Sequence, residues 1–162
     1  MNVREATADD REAIRRVAER SWEHDYPGIL NRETISEGIG EWYSDERLGE
    51  VLDTDGALLL VAEDDSEVLG FSHAVWEGTE GSILRLYVEP DSRRTGVGTQ
   101  LVERSRVALF GEGVDRIRAM VLAENELGNS FYHDHGFERI EVNETTISGE
   151  SYDESVYVTT RG

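Results

Sequence analysis

Ile83-Leu84-Arg85-Leu86-Tyr87-Val88, then Glu89-Pro90-Asp91-Ser92, then Arg93-Arg94-Thr95-Gly96-Val97-Gly98: this run decides the fold. The apolar stretch from Leu84 to Val88 suits a strand buried on at least one face. Pro90 ends it by withdrawing a ladder donor. Gly96 and Gly98 then leave the backbone free of β-carbons where a helix begins, with Leu101, Val102, Ala108 and Leu109 as its expected buried stripe. The unpaired amides of a helix start, backed by the helix dipole, form a site for an anion. Arg93 and Arg94 add positive charge beside them. The stretch therefore reads as a phosphate cradle at the carboxyl end of a strand.

Two familiar cradles are excluded. A Walker loop requires Gly-Lys-Ser/Thr, and the chain contains no lysine. A dinucleotide fingerprint requires a third small residue at its sixth position, where Leu101 stands. The surviving pattern, Arg93-x-x-Gly96-x-Gly98 after Leu86-Tyr87-Val88-x-Pro90, resembles the acyl-CoA pyrophosphate loop of the GNAT superfamily of N-acetyltransferases.

At 162 residues the chain is expected to form one domain, 1–162, large enough to bury a core. No apolar run approaches membrane-spanning length, and the start Met1-Asn2-Val3-Arg4-Glu5 has neither the basic nor the hydrophobic region of an export signal. The absence of cysteine removes disulfides, thiolate nucleophiles and thiolate metal sites together. A cytoplasmic location is the expectation. The charge is more unusual: 35 acidic residues against 16 basic ones, all arginine, give a formal net charge of -19. Such a balance argues against a nucleic-acid partner, because nothing offsets phosphate repulsion. Disorder is the alternative for so acidic a chain, but aliphatic and aromatic residues recur at strand and helix periods throughout. A solvated acidic shell suits a halophilic source, where molar salt shortens the screening length to about 3 Å.

Outward from the central strand, the pattern reads as follows. Val3 to Ala6 is a short first strand. Thr7, with Asp9 and Asp10 in the first turn, caps a helix whose buried side is Ile14, Val17, Ala18 and Trp22. Pro27-Gly28 breaks it, a second helix spans Asn31 to about Tyr43, and Asp45 to Leu52 adds a further helical turn or two. Ala57 to Ala62, Val68 to Trp76 and the central strand form an antiparallel meander. Arg116 to Leu122 is a strand reached through a helix, so it runs parallel to the central one. Asn125 to His135 is a short helix stopped by Gly136, and Phe137 to about Ile147 with Glu154 to Thr159 makes a closing hairpin.

This order, β-α-α-β-β-β-α-β-α-β-β, is that of the GNAT fold, an α/β architecture with a mixed, splayed central sheet. A second signature, Asn125-Glu126-Leu127-Gly128-Asn129-Ser130-Phe131-Tyr132 with Gly136-Phe137, is similar to the family's Asn-x-x-Ala-x-x-Phe-Tyr-x-x-x-Gly-Phe segment. Gly128 replaces the usual alanine, and either small residue is expected to let the cofactor lie close to the helix.

The resemblance implies acetyl-CoA as co-substrate. Its pantetheine arm is expected to bond like a strand along Leu86, Tyr87 and Val88. Helix-start amides across Arg94, Thr95, Gly96, Val97, Gly98 and Thr99 would hold the pyrophosphate, with Arg94 contributing more than Arg93. Tyr132 is the implied general acid for the leaving sulfur. Asn125 reads equally as a contact to the arm and as a helix cap. Direct transfer to an amine requires no covalent enzyme intermediate. That agrees with a chain lacking cysteine, lysine and a complete nucleophile elbow; Gly70-Phe71-Ser72-His73-Ala74 lacks the final glycine.

The general base is left open among His73, Glu80, Glu89 and a water chain. Related ribosomal-protein acetyltransferases place a glutamate where Met120 stands here. The acceptor, a small-molecule amine, is expected to meet Trp22, Tyr26 and Trp42 and the final hairpin around Tyr152 and Glu154, since aromatic residues near acids suit a cation. A protein N-terminus or lysine as acceptor, and a non-catalytic acyl-CoA sensor, are the alternatives. His133-Asp134-His135 suggests no metal, because positions i and i+2 diverge on a helix. By analogy with the family a homodimer is possible.

Overall fold

The computed structural model describes residues 1–25, 43–93, 95–147 and 149–161. Strand β1 (Asn2–Glu5) leads through a 3-10 turn into helix α1 (Arg11–Asp25), and helix α2 (Asp45–Leu52) follows. Strands β2 (Ala57–Asp64), β3 (Glu67–Glu77) and β4 (Glu80–Val88) come next. Helix α3 (Val97–Gly111), β5 (Arg116–Leu122), α4 (Glu126–Asp134), β6 (Glu138–Ile147) and β7 (Glu150–Thr160) complete the order. The helix expected from Asn31 to about Tyr43 lies, apart from Tyr43 itself, outside the described residues.

The strands form one sheet in the order β1-β2-β3-β4-β5-β7-β6. Every neighbouring pair is antiparallel except β4 with β5. Side chains alternate between its two faces, as the pleat requires. Leu59, Val61, Val68 and Phe71 face α1, where they meet Ile14, Val17, Ala18 and Trp22, all at most 5% exposed. Leu60 and Ala62 face α3, packing with Val97 and Leu101. Further along that second face Ile83, Ile117 and Ala119 meet Val102 and Leu109. The stripe of α3 departs from its expected form at one place. Ala108 is only half-buried, and Ser105 is buried instead, its Oγ 2.8 Å from that of Ser72 on β3. Each hydroxyl supplies the hydrogen bond that burial of the other demands.

The hairpin also differs from its sequence pattern. β7 begins at Glu150, four residues before the alternating segment, because Glu150 to Asp153 are recruited by pairing with Ile147 to Glu144 on β6. Ladder bonds hold a polar stretch that hydrophobic periodicity does not reveal. Among the described residues no helix is long and apolar enough to cross a membrane.

The feature that shapes the molecule lies in the middle of the sheet. β4 and β5 pair only from Glu80–Arg116 to Ile83–Ala119. At that point β4 carries a bulge: His73 of β3 opposes Arg85 while Ala74 opposes Ile83, so Leu84 is the extra residue. A bulge bends and twists its strand. Beyond it, Leu84 to Val88 and Met120 to Leu122 have no ladder partner in one another.

His73 sits beside this bulge, 8% exposed, with Nδ1 3.2 Å from Arg85 Nη1. Burial, and secondarily the Arg85 charge, lower its pKa from 6.5 to about 4. The ring is therefore neutral in the folded chain at pH 7 and accepts from Arg85. Between pH 6.5 and 4 the unfolded chain binds the extra proton, so stability is present above that window and is lost as pH falls through it. The loss attributable to His73 is about 3 kcal/mol. Denaturant titrations at pH 7 and pH 4 should show His73→Gln losing less stability than the native chain by that order. An equal loss in both would mean that His73 is protonated as easily folded as unfolded.

Candidate active site

Where β4 and β5 part, a cleft of about 650 Å³ opens through the sheet. Its walls are the free edges of the two strands, the start of α3, one face of α4, the end of α1 and the β6–β7 hairpin. Of the residues singled out from sequence, Trp22, Leu86, Tyr87, Val88, Arg93, Gly96, Gly98, Thr99, Asn125 and Tyr132 line it. Val97 does not: its side chain is 2% exposed and packs on the sheet with Leu101. Thr95 turns back to donate its hydroxyl to the Ser92 carbonyl. His73 lies outside the lining, with Arg85 reaching the cleft instead. Tyr26, Trp42 and Arg94 fall outside the described residues.

The start of α3 is built for an anion. Its N-cap, Gly96, has φ +90°, a left-handed conformation that glycine adopts without strain. Among the described residues no side chain caps the helix there, so the amides of Val97, Gly98 and Thr99 lack the partners that a capping residue would give. Gly98 is required by a neighbour. A β-carbon at this position would stand 2.9 Å from Phe131 Cε1. Phe131 in turn lies tilted against His135, 4.3 Å between centroids, whose Nε2 is 3.0 Å from Thr99 Oγ1. The first turn of α3 is thus fastened to α4 at the cleft mouth.

The loop between β4 and α3 is fastened to α1 as well. Arg20 Nε lies 2.7 Å from Glu89 Oε1, and its Nη2 is 3.2 Å from Asp91 Oδ2. Arg93 Nη2 donates to Ser21 Oγ at 3.1 Å, and Nη1 stands 3.5 Å from His24 Nδ1. Glu89 is 6% exposed, and its Oε2 is buried without a hydrogen-bond partner. Burial raises its pKa more than Arg20 lowers it.

Asn125 caps α4, its Oδ1 accepting from the Gly128 amide at 3.0 Å. Asn129 Nδ2 donates to the carbonyls of Leu122 and Asn125 at 3.1 and 2.7 Å, while its Oδ1 accepts from Tyr157 Oη at 2.7 Å. This side-chain amide holds the end of β5, the start of α4 and β7 together. Gly128 proves small for an internal reason: a β-carbon there would come within 2.6 Å of Val121 Cγ2 and 2.9 Å of Asn125 Nδ2. Even alanine would force these neighbours apart.

Tyr132 is 5% exposed, stacked on Tyr157 with centroids 5.9 Å apart and edge-on to Phe131 and Phe137. Burial, with a smaller contribution from Tyr87, raises its pKa above the ordinary 10.0, so its hydroxyl is protonated at neutral pH. On the opposite face Trp22 meets Tyr43 and Tyr87 edge-on, each at 6.4 Å. Arg85 lies 5.5 Å over the Tyr43 ring. Glu154, on β7 opposite Leu122, is half-buried in the cleft wall. Sequence placed it near the acceptor. Only the register of β7 against β5 shows that it reaches the gap itself.

The free strand edge, the uncapped helix start and the volume fit acetyl-CoA: an amide-bearing arm alongside β4, and a diphosphate at α3. Among the described residues no three histidine, aspartate or glutamate side chains are grouped to hold a metal ion.

Comparison with known proteins agrees with this geometry. A family model described as an acetyltransferase (GNAT) domain matches residues 55–139. A spermidine N(1)-acetyltransferase of Thermoplasma acidophilum is 30% identical over 141 residues, 85% of this chain and 88% of that protein. The crystal structure of the PaiA N-acetyltransferase from the same organism, in complex with coenzyme A, superimposes with a TM-score of 0.82 at 28% identity, covering 94% of this chain and 96% of that one. A GCN5-related N-acetyltransferase of Rhodopseudomonas palustris shares the fold, with a TM-score of 0.84 at 19% identity over 99% and 95% of the two chains. The chain belongs to the GNAT acetyltransferase family, enzymes that take their acetyl group from acetyl-CoA.

Proposed function

We propose that this enzyme transfers the acetyl group directly to a primary amine of a small metabolite, with aliphatic polyamines as the first acceptors to test. The observation that carries this reading is the open edge of β4 between the uncapped start of α3 and Tyr132. The Thermoplasma relative named for spermidine supports the acceptor class. Met120, where related peptide-directed enzymes carry a glutamate, favours the small amine over a protein N-terminus.

Acetyl-CoA, when bound, supplies a thioester carbonyl open to attack. Main-chain groups of Leu86 to Val88 bond the pantetheine arm in strand fashion, and an N–H among them polarises the carbonyl as charge develops on its oxygen. Amides of Val97 to Thr99 hold the pyrophosphate, assisted by Arg94. Arg93, directed at Ser21 and His24, chiefly keeps α1 against the loop. Asn125 uses its oxygen in the cap and keeps its amide N–H for the arm. Trp22 forms the floor on the acceptor side.

Tyr132 donates its hydroxyl to the departing sulfur. A thiol has a pKa near ~8.5, well below that of this buried phenol, so complete proton transfer from Tyr132 is uphill by more than ~2 kcal/mol. Its main contribution is a hydrogen bond that stabilises charge on sulfur. Tyr132→Phe should lower kcat by roughly 10²-fold while calorimetry finds the coenzyme A Kd within about threefold of native. Equal kcat would remove Tyr132 from the reaction. Thiol release from acetyl-CoA against a panel of polyamines, amino acids and peptides tests the acceptor. Turnover of peptides alone would reassign it to a protein terminus, and tight cofactor binding with no turnover would favour a sensor.

The 35 acids against 16 arginines support a second element of the proposal, that the enzyme works in the cytoplasm of a halophilic cell. Raising KCl from about 0.1 M to about 1 M shortens the screening length from ~10 to ~3 Å and should raise Tm. A flat or falling Tm would overturn the halophilic reading.

A further inference from the structure

An aliphatic amine reaches neutral solution as an ammonium ion with a pKa near ~10 and no free electron pair. Reaction that starts from the ammonium therefore needs a group in the cleft that removes a proton. The histidine and the two carboxylates that the sequence offers as the base, His73, Glu80 and Glu89, stand elsewhere. His73 is buried beside Arg85 and held neutral by that burial first and by the Arg85 charge second. Glu89 is bound to Arg20 on the α1 side of the loop, and Glu80 opens β4 at the paired end, next to Arg118.

We propose that Glu154 is the general base that takes a proton from the incoming amine, a role that rests on the acetyl-transfer reading above. Among the described residues lining the cleft it is the only carboxylate. It is fixed by its ladder: Glu154 opposes Leu122, the last residue of β5, on one side and Asn143 of β6 on the other. Leu122 packs with Trp22 and Tyr87 on the α1 face. Residues directly opposite in a ladder share a face, so Glu154 presents to that same side. Tyr132 packs with Val121 and Tyr157 on the other face. The amine thus meets its base on one face of the sheet while the sulfur departs toward Tyr132 on the other.

Among the described residues, the charged and titratable groups to weigh against Glu154 are these. Arg118 of β5 is shared with Glu141 of β6 at 3.4 Å and Glu80 at 3.8 Å. Tyr152 lies two residues away on β7, donating to Glu150 at 2.7 Å. Arg85, which lies over Tyr43 on the same α1 face, and His24 also line the cleft. Burial raises the pKa of Glu154 more than Arg118 lowers it, which brings the carboxylate closer to the working pH and makes it a stronger base. The same apolar walls lower the pKa of the bound ammonium.

The protons balance. Glu154 accepts one from the ammonium and returns it to solvent after turnover. The N–C bond forms as the C–S bond breaks, the electron pair of that bond goes to sulfur, and the second proton shed by nitrogen ends on sulfur as the thiol.

The test is Glu154→Gln, checked for a native melt and native coenzyme A affinity, and assayed with a primary alkylamine across pH 6 to 9. The native enzyme should show a kcat/KM plateau between the ionisation of Glu154 and that of the amine. The variant should be lower by roughly 10²-fold at pH 7 and climb tenfold per pH unit, because its amine must arrive already neutral. Glu154→Asp should keep the plateau at reduced height. A variant profile parallel to the native one, an unchanged rate, or a loss confined to KM of the amine would overturn the role of Glu154 while leaving acetyl transfer standing. No turnover by the native enzyme with any amine would remove both.

Discussion

The bulge at Leu84 is the constraint from which the rest follows. A parallel pair of strands continues its ladder as long as both backbones stay at bonding distance, and one additional residue in β4 ends that at Ile83–Ala119. From there two strand edges expose main-chain donors and acceptors that an antiparallel or fully parallel sheet would satisfy internally. Such groups are costly when buried and unpaired. The cleft is therefore a place where the protein leaves backbone bonding capacity for a ligand with amides of its own.

Positioning of the surrounding groups follows from what is attached to each edge. β4 runs directly into the loop and α3, so the anion-binding turn lies at the end of the strand that bonds the arm. β5 runs into the Asn125 cap and α4, so Tyr132 stands over the opposite edge. Arg20 and Arg93 join the loop to α1, and Asn129 joins α4 to β5 and β7. The loop and α4 are anchored by arginine and amide side chains reaching neighbouring elements, and the start of α3 by the Thr99–His135 hydrogen bond.

Much of this was legible in the chain itself. Pro90, Gly96 and Gly98 mark the strand end and the helix start, and the segment from Asn125 to Phe137 marks α4. Those signals are local: they concern φ angles, caps and periodicity within a few residues. The bulge at Leu84 is a property of pairing between strands and leaves no trace in the alternation of one of them. The same holds for Glu150 to Asp153, whose strand character comes from β6, and for Glu154, whose place in the wall depends on the β5–β7 register. At Gly128 the sequence allows glycine or alanine for closeness to the cofactor, whereas contact with Val121, visible only in the packing of α4 on β5, leaves room for glycine alone.

The narrow join between β4 and β5 also has a mechanical side. With four residue pairs linking them, β1 to β4 and β5 to β7 act as two panels meeting at a short seam. What keeps the panels at their angle is mostly grease: Leu122 and Ile147 of the second panel are packed among Trp22, Leu59 and Phe71 of the first assembly, and Ile83 among Ile117 and Ala119 on the reverse side. The backbone seam sets where the gap begins, and side-chain packing holds its two sides in place. Leu122 and Ile147 thus have two jobs, lining the opening and packing one panel against the other.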